Sequence, residues 1–374
     1  MEIWLVGGVA LMIGGLFFFV MAHEAGHFIA AKLTKMKVTE FFFGFGPRLY
    51  SFFRGETEYG IKAIPAGGYV RIIGMNPLED VAAEDVGRTY REKKFWEKAF
   101  VVLAGVTVNM ALGYLIFFGT LLAYGNLVEA ELVPTVSAVS GAEDQSSSPA
   151  QLAGIEVGDT ILQVNGVDTA DWESVVDAIS ARPGETVELL IDRAGQQLTL
   201  SATLATRETD SGDSRGFLGV SPSELIPEVG VFEAVGLAGR QTVNLVGLSY
   251  SFLWDMVTNL DGLAKVFIGG ELAQESRPVS IVGIGQIGAQ AGDTIGWSTI
   301  LLFLGYINVV LAVMNALPLF PLDGGHFVVA LYEKVFKREA DIRKLMPVAA
   351  VVLGLFIFIG IVSIYLDVVQ PIQF

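Results

Sequence analysis

The chain has 374 residues, 52% of them hydrophobic, with a mean hydropathy of +0.55, a net charge of −16 and no cysteine. That apolarity, gathered in long blocks, excludes an ordinary soluble protein and points to several membrane spans. The lack of cysteine excludes disulfides, thiolate metal sites and a cysteine nucleophile, and the acidity argues against nucleic acid as a partner.

Residues 1–31 form the first predicted span. A cleaved signal peptide is the poorer reading, because Met1 and Glu2 supply no basic region and the apolar run is too long. Between residues 3 and 31 the only ionisable side chains are His23, Glu24 and His27. Such groups are expensive in hydrocarbon, so they mark function by default. The segment His23-Glu24-Ala25-Gly26-His27 has the H-E-x-x-H spacing. Residues four apart share a helix face, so both imidazoles can bind one metal ion and the carboxylate beside them can act on water.

Residues 32–98 are rich in Lys and Arg, from Lys32 and Arg48 to Lys94 and Lys98. Residues 99–125 are the second span, with Asn109 its main polar interruption. Residues 126–210 are acidic and read as a globular domain. Strands are predicted at 136–139, 160–164, 187–191 and 198–204, a helix at 171–180 and a flexible loop at 141–149. Residues 211–298 follow as linker, interfacial helix and Gly-rich loop. The polar linker covers 207–216, the interfacial amphipathic helix 231–268, and a re-entrant or membrane-edge loop 269–292.

The third span, 299–325, is broken by Asn315, Pro318 and Pro321. A broken helix in a membrane needs its freed backbone groups satisfied by protein or by a water-filled cavity, and a site is expected there. Two histidines do not complete a catalytic zinc site, which usually has three protein ligands. His326 is one candidate for the third. Asp323 is the better one, because a carboxylate ending an apolar, proline-broken segment needs a partner. A basic loop, 326–345, and a last span, 346–368, close the chain.

The positive-inside rule puts 32–98 and 326–345 in the cytoplasm and the acidic domain and both termini outside. His23 precedes Lys32 by nine residues, roughly 13 Å of helix, so the site lies inside the membrane near its cytoplasmic face.

HEAGH in one span, with NALPLFPLDGG at 315–325 in another, resembles the site-2 protease family of intramembrane zinc metalloproteases. FGFGP at 43–47 and PAGGYV at 65–70 resemble that family's loop after the first span. QLAGIEVGD at 151–159 with ILQVNG at 161–166 resembles a PDZ domain, and GFLG at 216–219 resembles the segment after it. The likeness is to the bacterial PDZ-containing branch, of the regulator of sigma-E protease type, and covers nearly the whole chain. Where that family often has Ala-Gly-Pro ahead of an Asn, this chain has Ala104-Gly105-Val106.

The resemblance implies a polytopic α-helical membrane protein of about four transmembrane helices, with an inserted extracytoplasmic α+β PDZ-like domain and a membrane-associated β-hairpin. It implies Zn2+ held by His23, His27 and Asp323, with Glu24 as general base. It further implies Asn315 as a contact to the substrate backbone, and Gly67 and Gly68 on an edge strand that pairs with unwound substrate. The substrates expected are single-pass transmembrane proteins trimmed beforehand by a site-1 protease, among them anti-sigma factors or remnant signal peptides. Two other classes fit parts of the pattern: a metal or ion transporter, and a catalytically silent PDZ scaffold.

Overall fold

A computed structural model describes residues 2–75, 79, 81–140, 147–208, 213–258, 278–290 and 296–372. In chain order the elements are α1 (Glu2–Leu33), β1 (Val38–Arg54), β2 (Thr57–Ile72), α2 (Phe95–Tyr124), β3 (Glu131–Val139), α3 (Pro149–Ala153), β4 (Thr160–Val164), β5 (Val167–Asp168) and α4 (Trp172–Ser180). There follow β6 (Thr186–Arg193), β7 (Gln196–Thr203), β8 (Ala205–Glu208), β9 (Ser214–Phe217), β10 (Val220–Leu225) and α5 (Val231–Thr258). The chain ends with α6 (Ile281–Gln290), α7 (Trp297–Ala316), α8 (Asp323–Phe336) and α9 (Met346–Val369). They form two compact units, Met1–Ala123 with Gly230–Phe374, and Tyr124–Val229.

Among the described residues of the first unit, four helices are long and apolar enough to cross a membrane: Val6–Leu33 within α1, and α2, α7 and α9. Helix α1 ends where Lys35 turns to φ 59°, with Met36 N–H bonded to Ala31 at 2.8 Å and Lys35 N–H to Lys32 at 3.1 Å. This double closure satisfies the last carbonyls of the helix.

Of the stretch expected as a Gly-rich loop at 269–292, Ile281–Gln290 is helical, as α6. Its glycines serve helix contact rather than chain reversal. A β-carbon on Gly8 of α1 would lie 2.0 Å from the carbonyl oxygen of Gly288 in α6, so the backbones touch. Small residues at such crossings replace the hydrophobic drive that lipid does not provide. Of the expected interfacial helix at 231–268, α5 covers Val231–Thr258, and the remainder lies outside the described residues.

Strands β1 and β2 both bend. Phe41 therefore faces Val70 on one side and Tyr59 on the other, while Phe52 also faces Tyr59. The end of β2 that carries Gly68 and Val70 is paired on one side only among the described residues. The third expected span is two helices: α7 stops at Ala316, and α8 begins at Asp323 beyond the proline-containing break.

The second unit is built on an antiparallel sheet in the order β10-β3-β4-β6-β7, with β5 against β4. Val187, Leu189 and Ile191 alternate inward along β6 and meet Ile161, Val175, Ile179 and Leu218 in one core. Asp171 caps α4 by accepting the Ser174 N–H at 2.8 Å, the reciprocal pattern that starts a helix after a loop. Within 151–159, Asp159 is the anchor. It is 1% exposed and takes two hydrogen bonds from Arg193, at 2.7 and 2.8 Å. The compact unit continues past the expected boundary at 210, because β10 pairs with β3. The polar stretch expected as a linker at 207–216 supplies a hairpin, β8 with β9, whose Arg207 guanidinium lies 4.3 Å over the Phe217 ring. The Ser-rich loop expected at 141–149 lies outside the described residues for 141–146, and Pro149 already begins α3 with Ser148 as its cap.

Candidate metal centre

Helix periodicity sets the first part of the site. His23 and His27 lie one above the other on α1, each 6% exposed, with Nε2 atoms 3.2 Å apart. Asp323 comes from far along the chain, and its Oδ2 lies 3.0 Å from His23 Nε2 and 3.1 Å from His27 Nε2. The break after α7 aims it there. Gly324 and Gly325 let α8 fold onto residues 316–320: a β-carbon on Gly324 would lie 2.2 Å from the Ala316 carbonyl oxygen.

The three atoms form a nearly equilateral triangle, which the donor chemistry fits to a metal. Two neutral imidazole nitrogens and a carboxylate oxygen make a common zinc donor set, and bonds of about 2.0–2.1 Å in a tetrahedron put ligands roughly 3.3 Å apart. His27 Nδ1 donates to the Val101 carbonyl at 2.7 Å, which leaves its Nε2 lone pair facing the triangle. The cradle is shaped as well as polar. A β-carbon on Gly105 of α2 would lie 2.5 Å from His27 Nε2 and 2.8 Å from His23 Nε2. Only hydrogen at that position leaves the centre open.

Glu24 follows His23 on α1 and stands against β2. The strand approaches closely here: a β-carbon on Gly68 would lie 3.3 Å from Glu24 Cγ and 2.7 Å from Met21 Sδ. The acid therefore stands between the triangle and the open side of β2.

His23, His27 and Asp323 thus come together, with Glu24 and Gly68 adjoining. Gly67, at φ 141°, faces the Phe45 ring instead. Asn315 donates to Leu311 of its own helix at 3.0 Å. His326, the other candidate for the third ligand, is not in the triangle, and its ring packs edge-on to Phe320 with centroids 4.8 Å apart. Gly105 is the site residue that sequence reading missed. A glycine carries no chemical signal, and only its place in the Ala-Gly-x-x-x-Asn segment marks it.

The peptidase family M50 profile matches residues 11–360. The chain belongs to peptidase family M50, the site-2 proteases. It is 32% identical over 403 aligned residues to the zinc metalloprotease Rip1 of Mycolicibacterium smegmatis, covering 98% of each chain. It is 30% identical to Rip1 of Mycobacterium tuberculosis over the same share. It is 27% identical to the zinc metalloprotease RasP of Shouchella clausii, covering 93% of this chain and 96% of that one. As a site-2 protease the protein is a multi-pass intramembrane zinc metalloprotease that acts on membrane proteins.

Proposed function

We propose that His23, His27 and Asp323 hold the zinc and that Glu24 is the general base for peptide-bond hydrolysis inside the membrane. The observation that carries this reading is the 3.0–3.2 Å triangle of ligand atoms with a carboxylate at its edge. Zinc bound there supplies Lewis acidity for water and for the scissile carbonyl. Glu24 takes a proton from the attacking water and returns it to the leaving amine nitrogen.

A transmembrane substrate arrives as a helix, with every amide bonded within itself, so it must unwind before its carbonyl is reachable. The open edge at Gly68 and Val70 accepts the unwound segment as an added strand and satisfies the groups that unwinding frees. Gly67 lets that edge bend at its Phe45 contact, and Asn315 contacts the substrate backbone on release from Leu311. The substrates are single-pass proteins already trimmed by a site-1 protease, and the PDZ-like unit excludes bulky intact ectodomains. The basic segments face the cytoplasm and the acidic unit faces outward, which sets the zinc near the cytoplasmic face.

The test is cleavage of a tagged single-pass helix in liposomes by wild type and Glu24→Gln, each with and without a zinc chelator. Product from wild type alone, lost on chelation, is the expected result. Equal product from both proteins would reject Glu24 as the base. Transport or scaffolding would survive Glu24→Gln.

A further inference from the structure

Four of the buried polar atoms that have no hydrogen-bond partner among the described residues lie on α1, α2 and α7: His23 Nδ1, Asn109 Nδ2, Asn109 Oδ1 and Asn308 Oδ1. Asn109 and Asn308 are both 0% exposed. Buried groups of this kind are rarely left unpaired, so the set calls for an explanation. The set is balanced. The imidazole Nδ1–H and the Asn109 amide NH2 are donors, while the two Oδ1 atoms are acceptors.

Their placement matches. Val101, Gly105 and Asn109 are four apart on α2 and share one stripe. That stripe faces the histidines of α1: Val101 accepts from His27 Nδ1 at 2.7 Å, and a β-carbon on Gly105 would lie 2.7 Å from His23 Cε1. The higher-numbered histidine meets the lower-numbered α2 residue, so the helices run antiparallel here. Side chains lean toward the N-terminus of their own helix. On antiparallel helices His23 and Asn109 therefore lean toward each other. On the third helix, Asn308 Nδ2 donates to the Asn109 backbone carbonyl at 2.8 Å, which ties the two asparagines together.

We infer that Asn109 is a positioning residue for the metal ligand His23, accepting its Nδ1–H at Oδ1 while Nδ2 donates to Asn308 Oδ1, directly or through one buried water. The inference rests on the reading of His23 as a zinc ligand. The two histidines are then held in parallel ways, His27 by a backbone carbonyl and His23 by a side-chain amide oriented by Asn308. Such a partner fixes the tautomer, turns Nε2 toward the ion and raises its basicity. An asparagine serving only as packing between helices would not affect the ion.

The test is zinc affinity of the full-length protein in detergent, by competition with a chromophoric chelator, alongside thermal unfolding of the metal-free form. Asn109→Leu is expected to weaken zinc binding by roughly 10- to 100-fold, Asn308→Leu by less, and Asn109→Asp, which keeps the acceptor, to bind as wild type does. His23→Ala is the control. If Asn109→Leu binds zinc like wild type while His23→Ala does not, the inference fails and the ligand reading stands. If His23→Ala also binds like wild type, the ligand reading itself fails. Should Asn109→Leu not yield folded protein, Asn109→Ser takes its place, since the hydroxyl is too short to reach the imidazole, and the same outcomes decide.

Discussion

Gly105 of α2 faces the two histidines of α1 so closely that a β-carbon there would lie 2.5 Å from His27 Nε2. The contact is to two atoms of the His23–His27–Asp323 triangle, and α2 is pinned at the same level by the His27 bond to Val101. Neither partner can retreat without opening the triangle. Gly105→Ala is therefore expected to lower kcat/KM by about 100-fold, the scale of an ångström-level misplacement, and to reduce bound zinc in parallel. Metal content and cleavage measured on one preparation check this. Normal zinc with normal cleavage would refute it.

Gly68 tests the other side of the site. The three nearest atoms to a β-carbon there are Met21 Sδ, Glu24 Cγ and the Phe42 carbonyl oxygen, none of them in the triangle. Gly68→Val should leave zinc content at the wild-type level and lower kcat by roughly 10- to 100-fold, because it moves Glu24 and the edge strand and spares the triangle. The split between retained metal and lost turnover sets it apart from Gly105→Ala. Loss of zinc in Gly68→Val would show that the strand holds the ion and not only the base.

The residues that the fold brings together were legible because lipid makes ionisable groups conspicuous: His23, Glu24 and His27 stood alone in their span, and Asp323 closed a broken one. The four long helices were legible from hydropathy in the same way. Helix α6 was not, since Gly283, Gly285 and Gly288 argue for a loop by propensity, yet Gly288 sits at a backbone contact with Gly8 and Gly283 lies against Asp367. The β8–β9 hairpin was also missed. Arg207, Glu208 and Ser214 carry no apolar alternation, because the hairpin is largely exposed. The extent of β1 and β2 was hidden for a related reason: Leu49, Tyr50 and Phe53 are all exposed, so apolar residues do not mark a buried face there.

Asp367 ties the last span to α6. It is fully buried, and its Oδ2 accepts from the Ser280 N–H at 2.8 Å, the Ser280 hydroxyl at 2.6 Å and the Gly283 N–H at 3.0 Å. Those donors belong to the start of a helix that lies directly on α1, so the acid indirectly supports the element that carries the histidines. Asp367→Leu would strand these donors at a cost of about 3 kcal/mol. Thermal unfolding in detergent should fall by about 6–12 °C, with the zinc affinity of the surviving folded protein unchanged. An unaltered midpoint would show that this linkage carries no stability.

The second unit offers a pH-dependent prediction. The two hydrogen bonds from Arg193 hold the Asp159 carboxyl below its ordinary range. A carboxylate with a lowered native pKa stabilises the fold above the unfolded value, near 3.9, and that contribution is lost as pH falls through the native value. Hydrogen-exchange protection factors in β4 and β6 of the full-length protein should therefore hold at pH 6 and 5 and decline as acid protonates Asp159. Asp159→Asn is expected to start with lower protection at pH 6 and to show a flatter decline, because the titrating partner of Arg193 has gone. Parallel declines in the two proteins would place the acid sensitivity at another carboxylate.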